Sequence, residues 1–274
     1  MQQKQEKIKT GLKVAGILLA GAFLIGLTLH CIVNGLLMLQ DRTTHEMGEM
    51  LPLVPAQSVT EPAAQSAPPE PAAPPAEERP APEPWMLTLV NAWNPVPEDF
   101  AVELAEVERG YEMDARAVEP LQKMLADCRA EGLKPMICSA YRTNEYQTTL
   151  FNRQVRKQKW RGLDAETAVT AAAEVVAQPG TSEHQIGLAV DICSQNYQLL
   201  DEKQEETPEF QWLRAHCAEY GFILRYPPGT TALTGIIYEP WHFRYVGETA
   251  AQEITEAGIT LEEYLNKRDH SGKE

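Results

Sequence analysis

The sequence predicts an α+β domain, a small and mostly antiparallel sheet flanked by helices, preceded by a single transmembrane helix and a Pro-rich linker. Three observations carry this reading. Helix-like and strand-like segments follow one another in mixed order, with short strands late in the chain, which favours α+β over a doubly wound sheet. Residues 14–39 (VAGILLAGAFLIGLTLHCIVNGLLML) carry no charge. Residues 52–84 are dominated by Pro, Ala and Glu, with almost nothing to bury.

The uncharged run exceeds the roughly 20 residues a helix needs to cross a bilayer. Lys4, Lys7, Lys9 and Lys13 precede it, and by the positive-inside tendency they place residues 1–13 in the cytoplasm. The run is long for the apolar region of a cleaved signal peptide and no A-x-A site follows, so residues 14–39 read as a retained signal anchor. Lipidation at Cys31 is disfavoured because His30 is large where a small residue is required. Residues 40–84 then form a juxtamembrane segment and a solvated, polyproline-like stalk. At about 3.1 Å per residue its proline-rich part reaches on the order of 100 Å.

The globular part spans residues 85–268, leaving 269–274 as a tail. After an extended lead-in at 85–95, residues 114–132 (DARAVEPLQKMLADCRAEG) read as a helix with Asp114 as N-cap and Gly132 as its stop; Val118, Leu121, Leu125 and Cys128 form its apolar stripe. KPMICSAY (134–141) reads as a buried strand. Residues 143–160 and 164–178 read as helices, the second ended by Pro179-Gly180. IGLAVDIC (186–193) is a second strand and PEFQWLRAHCAEYG (208–221) a helix with Pro208 in its first turn. FILRYP, TGIIYE and HFRYVG are further strand pieces, and a Thr260-x-x-Glu263 capping box opens a closing helix to Arg268.

The formal charge of −15 argues against nucleic acid as a partner, since phosphate binding needs basic patches. Cys128, Cys138, Cys193 and Cys217 lack C-x-x-C spacing, and both buried thiols and a disulfide fit them.

Six histidines narrow quickly to two. His30, His45 and His270 lie in the apolar run, the juxtamembrane segment and the tail, and His216 falls mid-helix as a surface or packing residue. His184 and His242 each have a carboxylate close by. In TSEHQIGLAVD, Asp191 sits inside an apolar strand, where a carboxylate is costly unless paired or metal-bound. In Glu239-Pro240-Trp241-His242, residues three apart on a regular strand would point to opposite faces; Pro240 breaks the ladder and lets both side chains face one site, with Trp241 as a wall. A catalytic zinc takes three protein ligands plus water, commonly two His and a carboxylate. His184, Asp191 and His242 supply that set for one Zn2+ per domain, and Glu239 is left to act on the water. In CSAYRTNEYQTTLF (138–151), Arg142 at a strand end suits a carboxylate clamp, although a surface Arg fits the same position.

Two decoys fail. His45-Glu46-Met47-Gly48-Glu49 starts like a zinc-protease helix but ends in Glu. Lys9-Thr10-Gly11 matches one box of serine penicillin-binding enzymes, yet no Ser-x-x-Lys exists in the chain.

At SAYR, GTSEHQIGLAVDI, WLRAHCAEYGFILRYP and YEPWHFRYVG, in that order, the chain resembles the VanY-type D-alanyl-D-alanine carboxypeptidases of bacterial cell walls, zinc peptidases related to lysostaphin-like enzymes and the hedgehog signalling domain. The resemblance covers roughly residues 86–265. It implies a hedgehog/D-Ala-D-Ala-peptidase-like fold, His184, Asp191 and His242 as zinc ligands, and Glu239 as catalytic base. Arg142 would stabilise substrate or transition-state charge. Ser182 and Gln147 would contact the peptide, and Ser139, Tyr141 and Arg225 match family positions. The expected partners are peptidoglycan stem peptides, and the expected place is the outer face of a bacterial membrane. L,D-carboxypeptidase, cross-bridge endopeptidase and a non-catalytic wall-binding module remain as alternatives on the same fold.

Overall fold

The computed structural model describes residues 80–271. The expected cytoplasmic end, signal anchor and nearly all of the stalk lie outside the described residues. Among the described residues, no helix is long and apolar enough to cross a membrane.

A four-stranded antiparallel sheet organises the domain. Its strands are β3 (Pro135–Ser139), β4 (Ala189–Ser194), β5 (Phe222–Leu224) and β6 (His242–Tyr245), in spatial order β3-β4-β6-β5. A separate hairpin, β1 (Leu104–Glu108) and β2 (Tyr111–Asp114), leads into helix α1 (Ala115–Ala130). Alternation divides β4 between two tasks. Val190 and Ile192 enter the main core with Leu121, Leu125, Ile137, Phe222 and Phe243, and Asp191 takes the opposite face.

Register sets up the site. Ser139 stands opposite Asp191, next to a bulge in β3, and Asp191 stands opposite His242. One row across three strands therefore carries three polar residues. His184 joins from a 3-10 turn at Glu183–Ile186, which closes on Gly187 at φ 71°. That glycine is required: a Cβ there would lie 2.8 Å from the Asp114 backbone nitrogen, whose N–H donates to the Gly187 carbonyl.

Helix α2 (Asn144–Trp160) begins directly after Arg142, with Thr143 capping the Tyr146 N–H. Beyond it run α3 (Ala165–Ala173), α4 (Pro208–His216), a single turn α5 (Thr231–Thr234), α6 (Glu248–Ala257) and α7 (Leu261–Ser271). Asp114 caps α1 as the sequence predicts, accepting from the Arg116 N–H, and the Thr260–Glu263 capping box forms in full.

Several elements depart from expectation. TGIIYE is not a strand: α5 consumes its first residue and a loop follows. The helix expected over 164–178 stops at Ala173, and that over 208–221 becomes a 3-10 turn after His216. The lead-in is a 3-10 turn at Pro84–Leu87 rather than extended chain. The β1–β2 hairpin went unpredicted because Arg109-Gly110 replaces the usual Asn-Gly at its turn; both residues take positive φ, 53° and 79°, as a type I′ turn demands. α6 was also missed, a ten-residue amphipathic helix stopped by Gly258. It packs Ala250, Ala251 and Ile254 into a second apolar cluster with Ile223, Val246 and Leu261.

Candidate active site

Three ligand atoms converge on one point. Asp191 Oδ1 lies 3.3 Å from His184 Nε2 and 3.2 Å from His242 Nδ1, and all three residues are buried. His184 is oriented from behind: its Nδ1 donates to the Ala140 carbonyl at 2.7 Å, leaving Nε2 as a lone pair facing Asp191. Burial, reinforced by the nearby Arg142 charge, pushes His184 down to about 4, so this imidazole is neutral and ready to ligate. Asp191 Oδ1 is buried with no hydrogen-bond partner. An unpartnered carboxylate oxygen between two ring nitrogens is costly unless a cation sits among them. The residues present therefore fit a zinc ion held by two imidazoles and one carboxylate.

Two more carboxylates approach His242 from different sides. Glu239 Oε2 lies 3.6 Å from Nδ1. The Pro240–Trp241 turn brings it there, with the His242 N–H donating to the Glu239 carbonyl at 3.2 Å. Pro240 thus acts as the corner of a turn, and β6 begins just after it. Burial raises Glu239 to about 8, with the Asp191 charge adding to the effect. On the far side, Glu183 Oε2 lies 3.6 Å from His242 Nε2. Despite complete burial, Glu183 is held well below the usual carboxylate range by Arg225 and Arg244, each donating to Oε1 at 2.8 Å.

Arg142 is fixed by three acceptors. Nε donates to Ser139 Oγ at 2.8 Å, Nη1 to Gln147 Oε1 at 3.4 Å, and Nη2 to Asp191 Oδ2 at 2.6 Å. Of its five N–H groups two remain for a ligand. The cavity beyond measures about 810 Å³, and Arg142, Ser139, Ser182, Glu239, Trp241 and the three metal-site residues all line it.

Three expected substrate contacts are placed elsewhere. Arg225 is fully buried and bonded to Glu183 and Glu262, away from the cavity. The resemblance matched Arg225 to a family position, but burial behind His242 gives it an ion-pair role. Gln147 is also fully buried; it braces Arg142 and donates to the Ala177 carbonyl at 2.7 Å. Tyr141 does not line the cavity, and its N–H donates to the Glu112 carbonyl of β2.

Sequence reasoning missed Glu183, Arg244 and Tyr226. Tyr226 lines the cavity, its ring 4.7 Å from that of His242. Glu183 and Arg244 carried one signal, charged residues one position before and two positions after metal-site histidines within apolar surroundings. All four globular cysteines are free thiols. Burial raises Cys128 and Cys217 to about 12, which makes both inert.

Two imidazoles, one aspartate and a separate buried glutamate in an open cavity define a zinc peptidase site. Residues 110–248 match the family model for VanY, D-alanyl-D-alanine carboxypeptidase, and the chain belongs to that family. It is 43% identical over 182 residues to a D-alanyl-D-alanine carboxypeptidase of Enterococcus faecalis, a match spanning 66% of each. Two solved structures agree. One is a Zn(II) complex of a mutant vancomycin-resistance D,D-pentapeptidase VanY from a VanB-type cassette, at 42% identity and TM-score 0.61, over 66% of this chain and 99% of that one. The other is VanYB with D-alanine-D-alanine, at 42% identity and TM-score 0.62, over 66% and 98%.

Proposed function

We propose that the domain removes the C-terminal D-alanine from peptidoglycan stem peptides by zinc-dependent hydrolysis. The observation that carries this reading is Glu239, a buried carboxylate with no salt-bridged Arg or Lys among the described residues, beside the converging ligands. A purely binding site has no use for such a group. Zinc held by His184, Asp191 and His242 would supply Lewis acidity, activating a water and polarising the scissile carbonyl.

The chain's own residues do the rest. Glu239 takes a proton from the water at Oε2 and returns it to the leaving amide nitrogen; a carboxylate raised toward neutrality is suited to both transfers. Arg142, immobilised by Ser139 and Gln147, turns its two remaining N–H groups on a substrate carboxylate or a developing oxyanion. An Arg clamp for a terminal carboxylate accounts for exopeptidase action. Trp241 and Tyr226 wall the cavity and limit water. The uncharged run at 14–39 and the stalk at 40–84 support tethering outside a bacterial membrane, with residues 1–13 in the cytoplasm.

The test is product mass. The purified chain, loaded with zinc, is incubated with a stem pentapeptide ending in D-Ala-D-Ala and with its tetrapeptide. We expect loss of one alanine from the pentapeptide and no further trimming, with chelation abolishing release and zinc restoring it. Trimming of the tetrapeptide instead would replace this reading with L,D-carboxypeptidase activity.

A further inference from the structure

Helix α2 leaves the metal site as the cavity's long wall. Its cavity face changes character along its length. Tyr146 and Leu150 line the near part, and Arg153, Lys157 and Arg161 line the far part. Those three cations stand four residues apart, so they form one stripe along a single face. Across the described residues, none of them makes a side-chain hydrogen bond or ion pair. Arg156 and Lys159 of the same helix are likewise without an ion pair among the described residues, but of these five cations only the three of the stripe line the cavity. Arg116, Lys123, Arg129, Arg225 and Arg244 all have acidic partners. Like charges at four-residue spacing repel, and an anion lying in the groove would offset that repulsion. The facing rim is mixed: Asp201 and Glu202 line it beside Lys203, but the Asp201 carboxylate is already engaged by the Tyr197 hydroxyl and the Lys203 N–H.

Distance defines what the stripe can meet. Arg153 lies 11 positions past Arg142, about 16 Å along an ideal helix axis. Helical side chains lean back toward the N-terminus, which shortens that gap. An extended peptide advances about 3.3–3.6 Å per residue, so a substrate whose C-terminus is held at Arg142 brings its fourth or fifth residue from that end to Arg153, the near end of the stripe, with Lys157 and Arg161 about 6 and 12 Å farther along. The cavity of about 810 Å³ is also far larger than two alanines require.

We propose that Arg153, backed by Lys157, forms a carboxylate-binding subsite that selects substrates with an acidic residue four or five positions from the C-terminus. This rests on the carboxypeptidase reading and adds the chemistry of the distal substrate. The stripe lies at a solvent-exposed rim, so it works by local attraction and is sensitive to salt.

Two synthetic pentapeptides ending in D-Ala-D-Ala test it, identical except for Glu or Gln at the fourth residue from the C-terminus. With the zinc-loaded full chain at low salt we expect kcat/KM for the Glu peptide to exceed that for the Gln peptide by about tenfold, chiefly through KM, and the ratio to shrink at high salt. Arg153→Gln with Lys157→Gln brings the ratio close to one. Arg156→Gln with Lys159→Gln removes the same charge from the same helix at exposed positions outside the cavity and keeps the ratio. A wild-type ratio near one overturns the subsite, as does an equal fall in both double variants. No D-alanine release from either peptide overturns the carboxypeptidase reading and the subsite together, whereas release without discrimination overturns the subsite alone.

Discussion

Two glutamates flank one imidazole, and they live in opposite surroundings. Glu183 and Glu239 each place Oε2 3.6 Å from a His242 ring nitrogen. Behind the ring, Glu183 shares Oε1 between two fully buried arginines, and Arg225 passes the network on to Glu262. In front, Glu239 meets the cavity with no guanidinium on it. Arginine partners hold the first ionised; burial pushes the second up to about 8. The same residue type is thus a fixed charge on one side and, in the mechanism proposed above, a proton carrier on the other. Environments that drive two carboxylates apart in this way mark out their roles.

The largest way to break this comparison is at Glu239. Glu239→Gln should keep zinc and fold normally yet lose about 10²- to 10⁴-fold in kcat, read from D-alanine release beside metal content. Near-wild-type turnover would remove Glu239 from the chemistry.

The mirror change comes next. Glu183→Gln leaves two buried guanidiniums short of an anion and should cost about 3–5 kcal/mol in stability, measured by urea unfolding. Because Glu183 also faces the outer nitrogen of His242, zinc affinity should fall about 10- to 100-fold, read by competition with a chromophoric chelator. If stability and affinity both hold, the cluster behind the ring is idle.

A smaller effect sharpens the contrast through pH. In zinc-free protein, Glu239 holds its proton up to about 8, above its ordinary value of 4.5. Between those values the folded state binds more protons than the unfolded state, so this group's contribution to stability falls as pH rises. Wild-type protein in chelator should therefore lose stability relative to Glu239→Gln between pH 5 and pH 8. Parallel stability curves for the two proteins would contradict a buried, uncompensated Glu239.

Much of the site was legible before folding because its chemistry is rare in its context. An Asp inside GLAVDIC and a Glu beside Pro-Trp-His are expensive placements, and expense points to a ligand. What alternation rules could not supply was which buried charge faces the cavity. Arg225 and Arg142 both follow strands, but one is sealed beneath His242 and the other opens onto about 810 Å³ of space. Gln147 looked like a peptide contact and is instead a brace, since the bend from β3 into α2 turns its amide toward Arg142.

By itself the sequence determined the residue types that converge at the candidate site, the mixed α+β elements and the Pro-driven corner at 239–242, all of which follow from local preference and the cost of burying charge. Only the tertiary structure decided that Ser139, Asp191 and His242 share one row, that Glu183 braces the ring from behind, and that α2 carries a cationic stripe along the cavity. Those depend on strand register and on which helix face meets the groove, and both are settled by contacts between residues far apart in the chain.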